Sequence, residues 1–293
     1  MFGPNTHTSG KLDISYSHRD RTFFNLYHSV TKKFKNTFSL KNYDILFIPG
    51  SGTVGIEAVI SSLKNKVNVL GHGKFHDRWK ELSLRYNPKQ RKHDLYSDFP
   101  QDMYVHLETS ISEIFYYPSA DIVDAISSFP FYDLENPKVF VTCSNKILGS
   151  FPGLSIVGVR KDSWNIFRED NRFSYLNLFL YKRYAEKNQL PTTAPIHLFA
   201  HLEKTLDEYD SYRLKNKIFE VSFLIGEALG RHNLIGSHIC PVLTFPKSVI
   251  PADLAKKYEL YGLNTDSENY QIFTYSDKLS NYSNFAKDVK KFK

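Results

Sequence analysis

Val139-Phe140-Val141-Thr142-Cys143-Ser144-Asn145-Lys146 is an apolar, β-rich run that stops on a Ser-Asn-Lys step, with Gly149, Pro152 and Gly153 close behind. A short run apolar on both faces, bounded by turn residues, describes a strand buried inside a sheet. Its turn delivers one amine, that of Lys146, to the strand's carboxyl end. Twenty-two positions earlier, Asp121-Ile122-Val123-Asp124-Ala125 delivers one carboxylate, Asp124, to the end of another such strand.

Working outward, the first two-thirds of the chain alternate short apolar runs with helix-like stretches. Strands are expected at Ile45–Ile48, Val67–Leu70, Tyr104–Leu107, Ile122–Asp124, Val139–Thr142 and Leu154–Val159, and helices at His18–Phe34, Thr53–Leu63 and Phe75–Tyr86. This alternation predicts a mostly parallel sheet covered by helices, an α/β fold in which ligands collect at the carboxyl ends of the strands. After Pro195 the pattern changes. Amphipathic helices at Ile196–Tyr209 and Tyr212–Leu229 precede strands at Ile239–Phe245 and Tyr270–Tyr275, with helices at Pro251–Tyr261 and Tyr282–Lys291. The expected organisation is a large domain over residues 1–205 and a small α+β domain over 206–293.

Pro49-Gly50-Ser51-Gly52-Thr53 follows the first strand and opens a helix. Small hydrogen-bonding residues at a helix start suit a phosphate, because the backbone N–H groups and the dipole both favour an anion there. The stretch Gly50–Gly55 also fits the G-x-G-x-x-G dinucleotide pattern, which requires an acidic residue about 20 positions on. The next strand ends in Gly71-His72-Gly73, with no acid until Asp77, which disfavours that reading. A buried amine that can act as a nucleophile toward a carbonyl, a carboxylate for a pyridinium nitrogen and a phosphate cup together describe a pyridoxal 5'-phosphate site. Ser51, Gly52 and Thr53 are its expected phosphate residues, with Lys146 and Asp124 as the catalytic pair. Phe75, preferred over Trp79, is the aromatic expected to cover the ring. Thr109, after the third strand, offers a hydroxyl to a ring substituent.

Composition narrows the rest. The 293 residues are 41% hydrophobic and 24% charged, which is globular, and no apolar run reaches the roughly 20 residues needed to span a bilayer. Met1–Thr6 lacks the features of a secretory signal, so a cytoplasmic protein is expected. Cys143 and Cys240 make neither a disulfide framework nor a metal cluster, and no histidine pair has zinc-ligand spacing. The formal charge of +7 comes without any nucleic-acid-binding motif, so neither nucleic acid nor membrane is expected as a partner.

Further stretches carry a family likeness: Gly3-Pro4-Asn5, Ser17-His18-Arg19-Asp20, Gly73-Lys74-Phe75-His76-Asp77-Arg78, His106-Leu107-Glu108-Thr109-Ser110 and Val123-Asp124-Ala125-Ile126-Ser127-Ser128. With Ser144-Asn145-Lys146 and Thr193-Ala194-Pro195 they span nearly the whole chain. In their order and spacing the chain resembles the class V aminotransferases of pyridoxal phosphate fold type I, and among them most nearly the 2-aminoethylphosphonate–pyruvate aminotransferases. The resemblance implies a transaminase that exchanges a small anionic amine or amino acid with an oxo-acid. Lys146 would hold the cofactor as a Schiff base, Asp124 would pair with the ring nitrogen and Asn145 would join the phosphate residues. Thr193 would reach the phosphate in a neighbouring subunit, implying a homodimer with shared sites. The family's substrate-carboxylate arginine would fall on Tyr270–Tyr275, where there is none, and Arg19 is the candidate replacement. An alanine– or serine–glyoxylate-type aminotransferase, or a protein of this fold that binds without turnover, are the alternatives. Cysteine desulfuration is disfavoured, because it needs a cysteine on a mobile loop.

Overall fold

The computed structural model describes residues 16–86, 100–169 and 174–292. The Gly3-Pro4-Asn5 stretch lies outside them. Six strands form the central sheet: β1 (Tyr43–Pro49), β2 (Val67–Leu70), β3 (Gln101–Val105), β6 (Ile122–Asp124), β7 (Val139–Cys143) and β8 (Leu154–Arg160), in the spatial order β1-β8-β7-β6-β3-β2. β2, β3, β6 and β7 pair in parallel, whereas β8 runs antiparallel to both β7 and β1. Five of the six strands therefore point one way. Their carboxyl ends share one edge of the sheet, as expected of the mostly parallel sheet.

β7 is buried along its whole length and β8 along all but its last residue, because both faces of this part of the sheet are covered. Successive residues on β7 point to opposite faces. Val141 faces α2 (Gly52–Ser62), where a Cβ on Gly55 would stand 2.8 Å from its Cγ1. Phe140 faces the other way and stacks on Phe129, which in turn meets Phe34 of α1 (Arg21–Thr37). On that side Phe23, Tyr27, Phe47 and Phe199 pack ring against ring between α1, β1 and α5 (Ile196–Asp207), with centroids 5.2–6.3 Å apart. Burying each such ring contributes up to about 2–3 kcal/mol.

Several boundaries differ from expectation. The third strand begins at Gln101 and ends at Val105, three residues earlier than expected at its start. Leu107 instead enters a separate two-residue pair, β4 (Leu107–Glu108) with β5 (Glu113–Ile114). The polar start of β3 hid it, since Gln101 and Asp102 break the apolar run. α1 starts at Arg21 rather than His18, because Ser17–Asp20 form a turn in which the Ser17 N–H donates to the Asp20 carboxylate at 2.8 Å. A helix not foreseen, α4 (Leu178–Ala185), starts at Asn177, whose side chain accepts from the N–H groups of Phe179 and Leu180.

After α5, α6 (Ser211–Leu229), α7 (Ala252–Lys257) and α8 (Leu279–Lys290) accompany the antiparallel pair β9 (Val242–Pro246) and β10 (Asn269–Phe273). The buried apolar residues form two clusters. One fills the space around the central sheet, and the other joins α6, β9, β10 and α8. The boundary runs through the segment after Lys146: Ile147 belongs to the second cluster and Leu148 to the first. The predicted nucleophile is thus held from both sides. Among the described residues no helix is long and apolar enough to cross a membrane.

Candidate active site

Asp124 ends β6 and is 3% exposed. Its Oδ1 accepts from the Ile126 N–H at 2.9 Å and its Oδ2 from the Trp79 indole N–H at 2.7 Å. Burial pushes its carboxyl up to about 6, against the pull of these two hydrogen bonds. No ion pair neutralises it among the described residues. A carboxylate in this position is stabilised by a cation brought to it.

Lys146 follows the end of β7 on the loop closed by the Gly149 N–H donating to the Lys146 carbonyl at 3.0 Å. Burial lowers the basicity of its amine, while the Cys143 thiol and Asp124 act in the opposite sense. Its Nζ lies 5.6 Å from the centre of the Phe273 ring on β10. Neighbouring Asn145 is half-buried, and the Ser144 hydroxyl anchors the turn on the Phe151 carbonyl at 2.6 Å. A lysine made less basic by burial is better prepared to attack a carbonyl.

The Gly50–Thr53 segment forms the third corner. Gly50 has φ +138°, a conformation that side chains rarely adopt, and its N–H donates to the Gly153 carbonyl at 2.8 Å. Ser51 precedes α2 without capping it through its side chain, and the first turn of α2 carries no acidic residue. The positive end of α2 is therefore left for an anion. Gly52 packs so closely that a Cβ would lie 2.6 Å from Ile126 Cδ1. Since Ile126 also donates to Asp124, the helix start and the carboxylate are positioned through one residue.

The aromatic assignments separate in the structure. Trp79 is 1% exposed and holds Asp124, whereas Phe75 is half-buried in the first turn of α3 (Lys74–Arg85). Sequence reasoning missed what fixes that turn. Glu108 is fully buried and its Oε2 accepts from the Phe75 N–H at 2.9 Å, the His76 N–H at 3.2 Å and His76 Nδ1 at 3.1 Å. The Val105 N–H donates to His76 Nε2 at 3.3 Å, which places the ring proton on Nδ1, toward Glu108. Burial pushes the Glu108 carboxyl up, but the bonds from His76 and Ser110 outweigh it and hold the group below its ordinary value. The signal for this cluster was the pair Gly71 and Gly73, read only as a strand end. Both have positive φ, and Cβ atoms there would stand 2.5 Å from His76 Nε2 and 2.4 Å from Glu108 Cγ.

Thr109 is buried, and its carbonyl accepts from the Gln271 amide and, at 3.4 Å, from the Thr244 hydroxyl. The loop after β3 is thereby tied to β9 and β10. His106 is buried beside it, and its Nδ1 has no hydrogen-bond partner among the described residues. Burial lowers it to about 4, so it is neutral. Two predicted residues lie at the surface. Arg19 is exposed in the turn before α1, and no hydrogen bond or ion pair among the described residues joins its side chain to Lys146, Asp124 or Thr109. Thr193 is also exposed, just before α5.

No protein-family profile matches the chain. It is 29% identical over 238 residues to an uncharacterised aminotransferase of Methanocaldococcus jannaschii, a match that covers 69% of this chain and 62% of that protein, less than two thirds of its length. Among solved structures, a phosphoserine aminotransferase from Cytophaga hutchinsonii superposes with a TM-score of 0.78 at 17% identity, covering 94% of this chain and 90% of that one. An alanine–glyoxylate aminotransferase from Nostoc sp. also gives 0.78 at 16% identity, covering 95% and 89%. The chain has the fold of these aminotransferases, with its mostly parallel central sheet.

Proposed function

We propose that the protein is a pyridoxal 5'-phosphate-dependent aminotransferase. The observation that carries this reading is the convergence of a buried carboxylate with no ion pair among the described residues, a desolvated lysine and an open helix N-terminus at one edge of the sheet. The donor set fits the cofactor's three ends: Asp124 for the ring nitrogen, Lys146 for the aldehyde, and Ser51, Gly52, Thr53 and Asn145 for the phosphate. Thr109 would meet the ring hydroxyl and Phe75 would cover the ring. When bound, the cofactor supplies an electron sink for the bond broken at the donor carbon.

In this chain Asp124 would pair with the ring nitrogen and hold its proton there, which its ionised form can do above a pH of about 6. Trp79 and Ile126 fix the direction in which that carboxylate points. Lys146 would have two tasks, holding the cofactor covalently and then, as a free amine, moving a proton from the donor carbon. Its desolvation raises the neutral fraction that both tasks need.

The donor reading is a small amine such as 2-aminoethylphosphonate, exchanged with an oxo-acid. The structural likeness to an alanine–glyoxylate aminotransferase favours an amino-acid donor as the second reading. Residues 1–205 would carry the cofactor and 206–293 would form the smaller domain, in a homodimer to whose neighbouring site the exposed Thr193 contributes. The test is to load the purified protein with cofactor, reduce it with borohydride and locate the adduct by peptide mass, then measure the half-reaction with each donor. An adduct on Lys146 and discharge by an amine support the proposal, and an adduct on another lysine removes it.

A further inference from the structure

We infer that the cleft between the end of α5, the start of α6 and the segment after Lys146 is a second ligand site, for a small dicarboxylate. The cleft encloses about 490 Å³, and none of its lining residues belongs to the proposed cofactor set. Ile147, Leu148 and Gly149 line it from the side of the nucleophile, and Leu214 adds an apolar side chain from α6. The site stands whether or not the chain takes up a cofactor.

The rest of the lining is charged. Arg213 and Lys217 stand four positions apart on α6, so they share one helix face. The Arg213 guanidinium has no ion pair among the described residues. Its backbone N–H donates to the Asp210 carboxylate at 3.0 Å, which caps α6. Lys217 is half-buried, and its Nζ donates to the Tyr275 carbonyl at 2.8 Å, which leaves further ammonium protons for a ligand. Burial lowers the basicity of Lys217, Asp277 opposes this, and Arg213 adds to it. The Asp277 carboxylate itself accepts from the Lys278 N–H at 2.7 Å and the Asn281 amide at 2.9 Å, at the start of α8. Lys204 and Glu208 are exposed and offset each other at 3.9 Å.

Two neighbouring cations, one of them half-buried, disfavour each other until an anion joins them. The guanidinium fork of Arg213 matches a carboxylate. A second carboxylate meets Lys217 where its bond to Tyr275 holds it. A dicarboxylate thus satisfies both cations in place, whereas a single phosphate would draw the two like charges together. Its short carbon chain meets Ile147, Leu148 and Leu214. The loop it touches is the one that the Gly149 N–H closes on the Lys146 carbonyl at 3.0 Å, so occupancy steadies the mounting of Lys146.

The experiment titrates succinate into the full chain by calorimetry, with and without cofactor. The parent should bind it with a Kd below about 10 mM, and Arg213→Gln and Lys217→Met each at least roughly tenfold more weakly, the scale of one charge-assisted contact. Acetate, which reaches one cation only, should bind the parent as weakly as succinate binds the variants. Amide exchange in the peptide that carries Gly149 should slow at saturating succinate in the parent and not in Arg213→Gln. Equal succinate affinity in parent and Arg213→Gln would overturn the site. Competition between succinate and cofactor would overturn it too, by placing the dicarboxylate in the active site. Unchanged exchange despite binding would sever the link to Lys146. Arg213 is exposed, so its replacement keeps the fold, and that comparison stands even if Lys217→Met does not fold. A chain that takes up no cofactor would remove the transaminase reading and leave this comparison untouched.

Discussion

The indole N–H of Trp79 donates to Asp124 Oδ2 at 2.7 Å, so a residue of α3 sets the orientation and basicity of the carboxylate at the end of β6. Burial raises this carboxyl most, with a smaller push from Glu108, and the two hydrogen bonds and His76 hold it to about 6. Because the folded-state value lies above the ordinary 3.8, the stability that Asp124 contributes is fully present below about 3.8 and is lost as pH rises through 6. The protein therefore carries an ionised, buried carboxylate at neutral pH.

Trp79→Phe tests this arrangement. Phenylalanine keeps most of the ring volume but cannot donate, so the ionised form of Asp124 loses one of its two supports and the carboxyl moves above 6. The acidic limb of cofactor affinity should then shift toward neutral pH, while affinity at alkaline pH changes little. Titration of the cofactor dissociation constant across that limb for parent and variant reads the shift directly. An unmoved limb would mean that the indole only fills space.

Lys146→Ala should bind the cofactor without a covalent link. Borohydride treatment followed by mass measurement should find the adduct on the parent and none on the variant, with transamination lost. The Ile147 and Leu148 anchors lie in two different cores, so the loop should keep its course and the denaturation midpoint should stay within about 1 kcal/mol of the parent. A retained adduct would place the nucleophile elsewhere.

How much of this was readable beforehand depends on how local each signal is. β6 and β7 were found almost to the residue, because a strand buried on both faces has an unbroken apolar run. Lys146 and Asp124 came with them, as polar residues at the ends of such runs. The partners of these residues were not legible. Periodicity put Phe75 and Trp79 on one helix four positions apart, but the side on which each meets the sheet depends on how α3 packs. Glu108 and His76 lie 32 residues apart, and nothing in either segment shows that one side chain satisfies the other. The two glycines that admit them looked like an ordinary turn, because a missing Cβ reveals its purpose only when the neighbouring atoms are known.

Glu108→Gln is expected to destabilise the protein by about 2–4 kcal/mol, as loss of one side of a buried charged network does. The carboxylate accepts from backbone and side-chain donors on both oxygens, and an amide turns an N–H group toward one set of them. Urea denaturation of the cofactor-free protein measures the cost. A change under about 0.5 kcal/mol would show that the cluster relaxes freely. Because Glu108 also positions the Phe75 N–H, any folded fraction should hold the cofactor more weakly.

Gly52→Ala separates packing from ligand binding at the start of α2. The backbone there is ordinary helix, so an alanine is not strained by its φ, and the obstacle is Ile126, whose Cδ1 and Cγ1 would lie 2.6 and 2.7 Å from the new Cβ. These are the outer atoms of a flexible side chain, and moving them should cost about 1–3 kcal/mol of stability. The same displacement pulls on the Ile126 N–H, which holds Asp124 Oδ1 at 2.9 Å, and it crowds the N–H groups at the helix start that would meet the proposed phosphate. Cofactor affinity should therefore fall by roughly tenfold or more, since at least one charge-assisted contact is disturbed. Inorganic phosphate, which touches only the helix start, should lose affinity to the cofactor-free variant as well. If the melting temperature drops while both dissociation constants stay at the parent values, the glycine serves packing alone and the phosphate sits elsewhere.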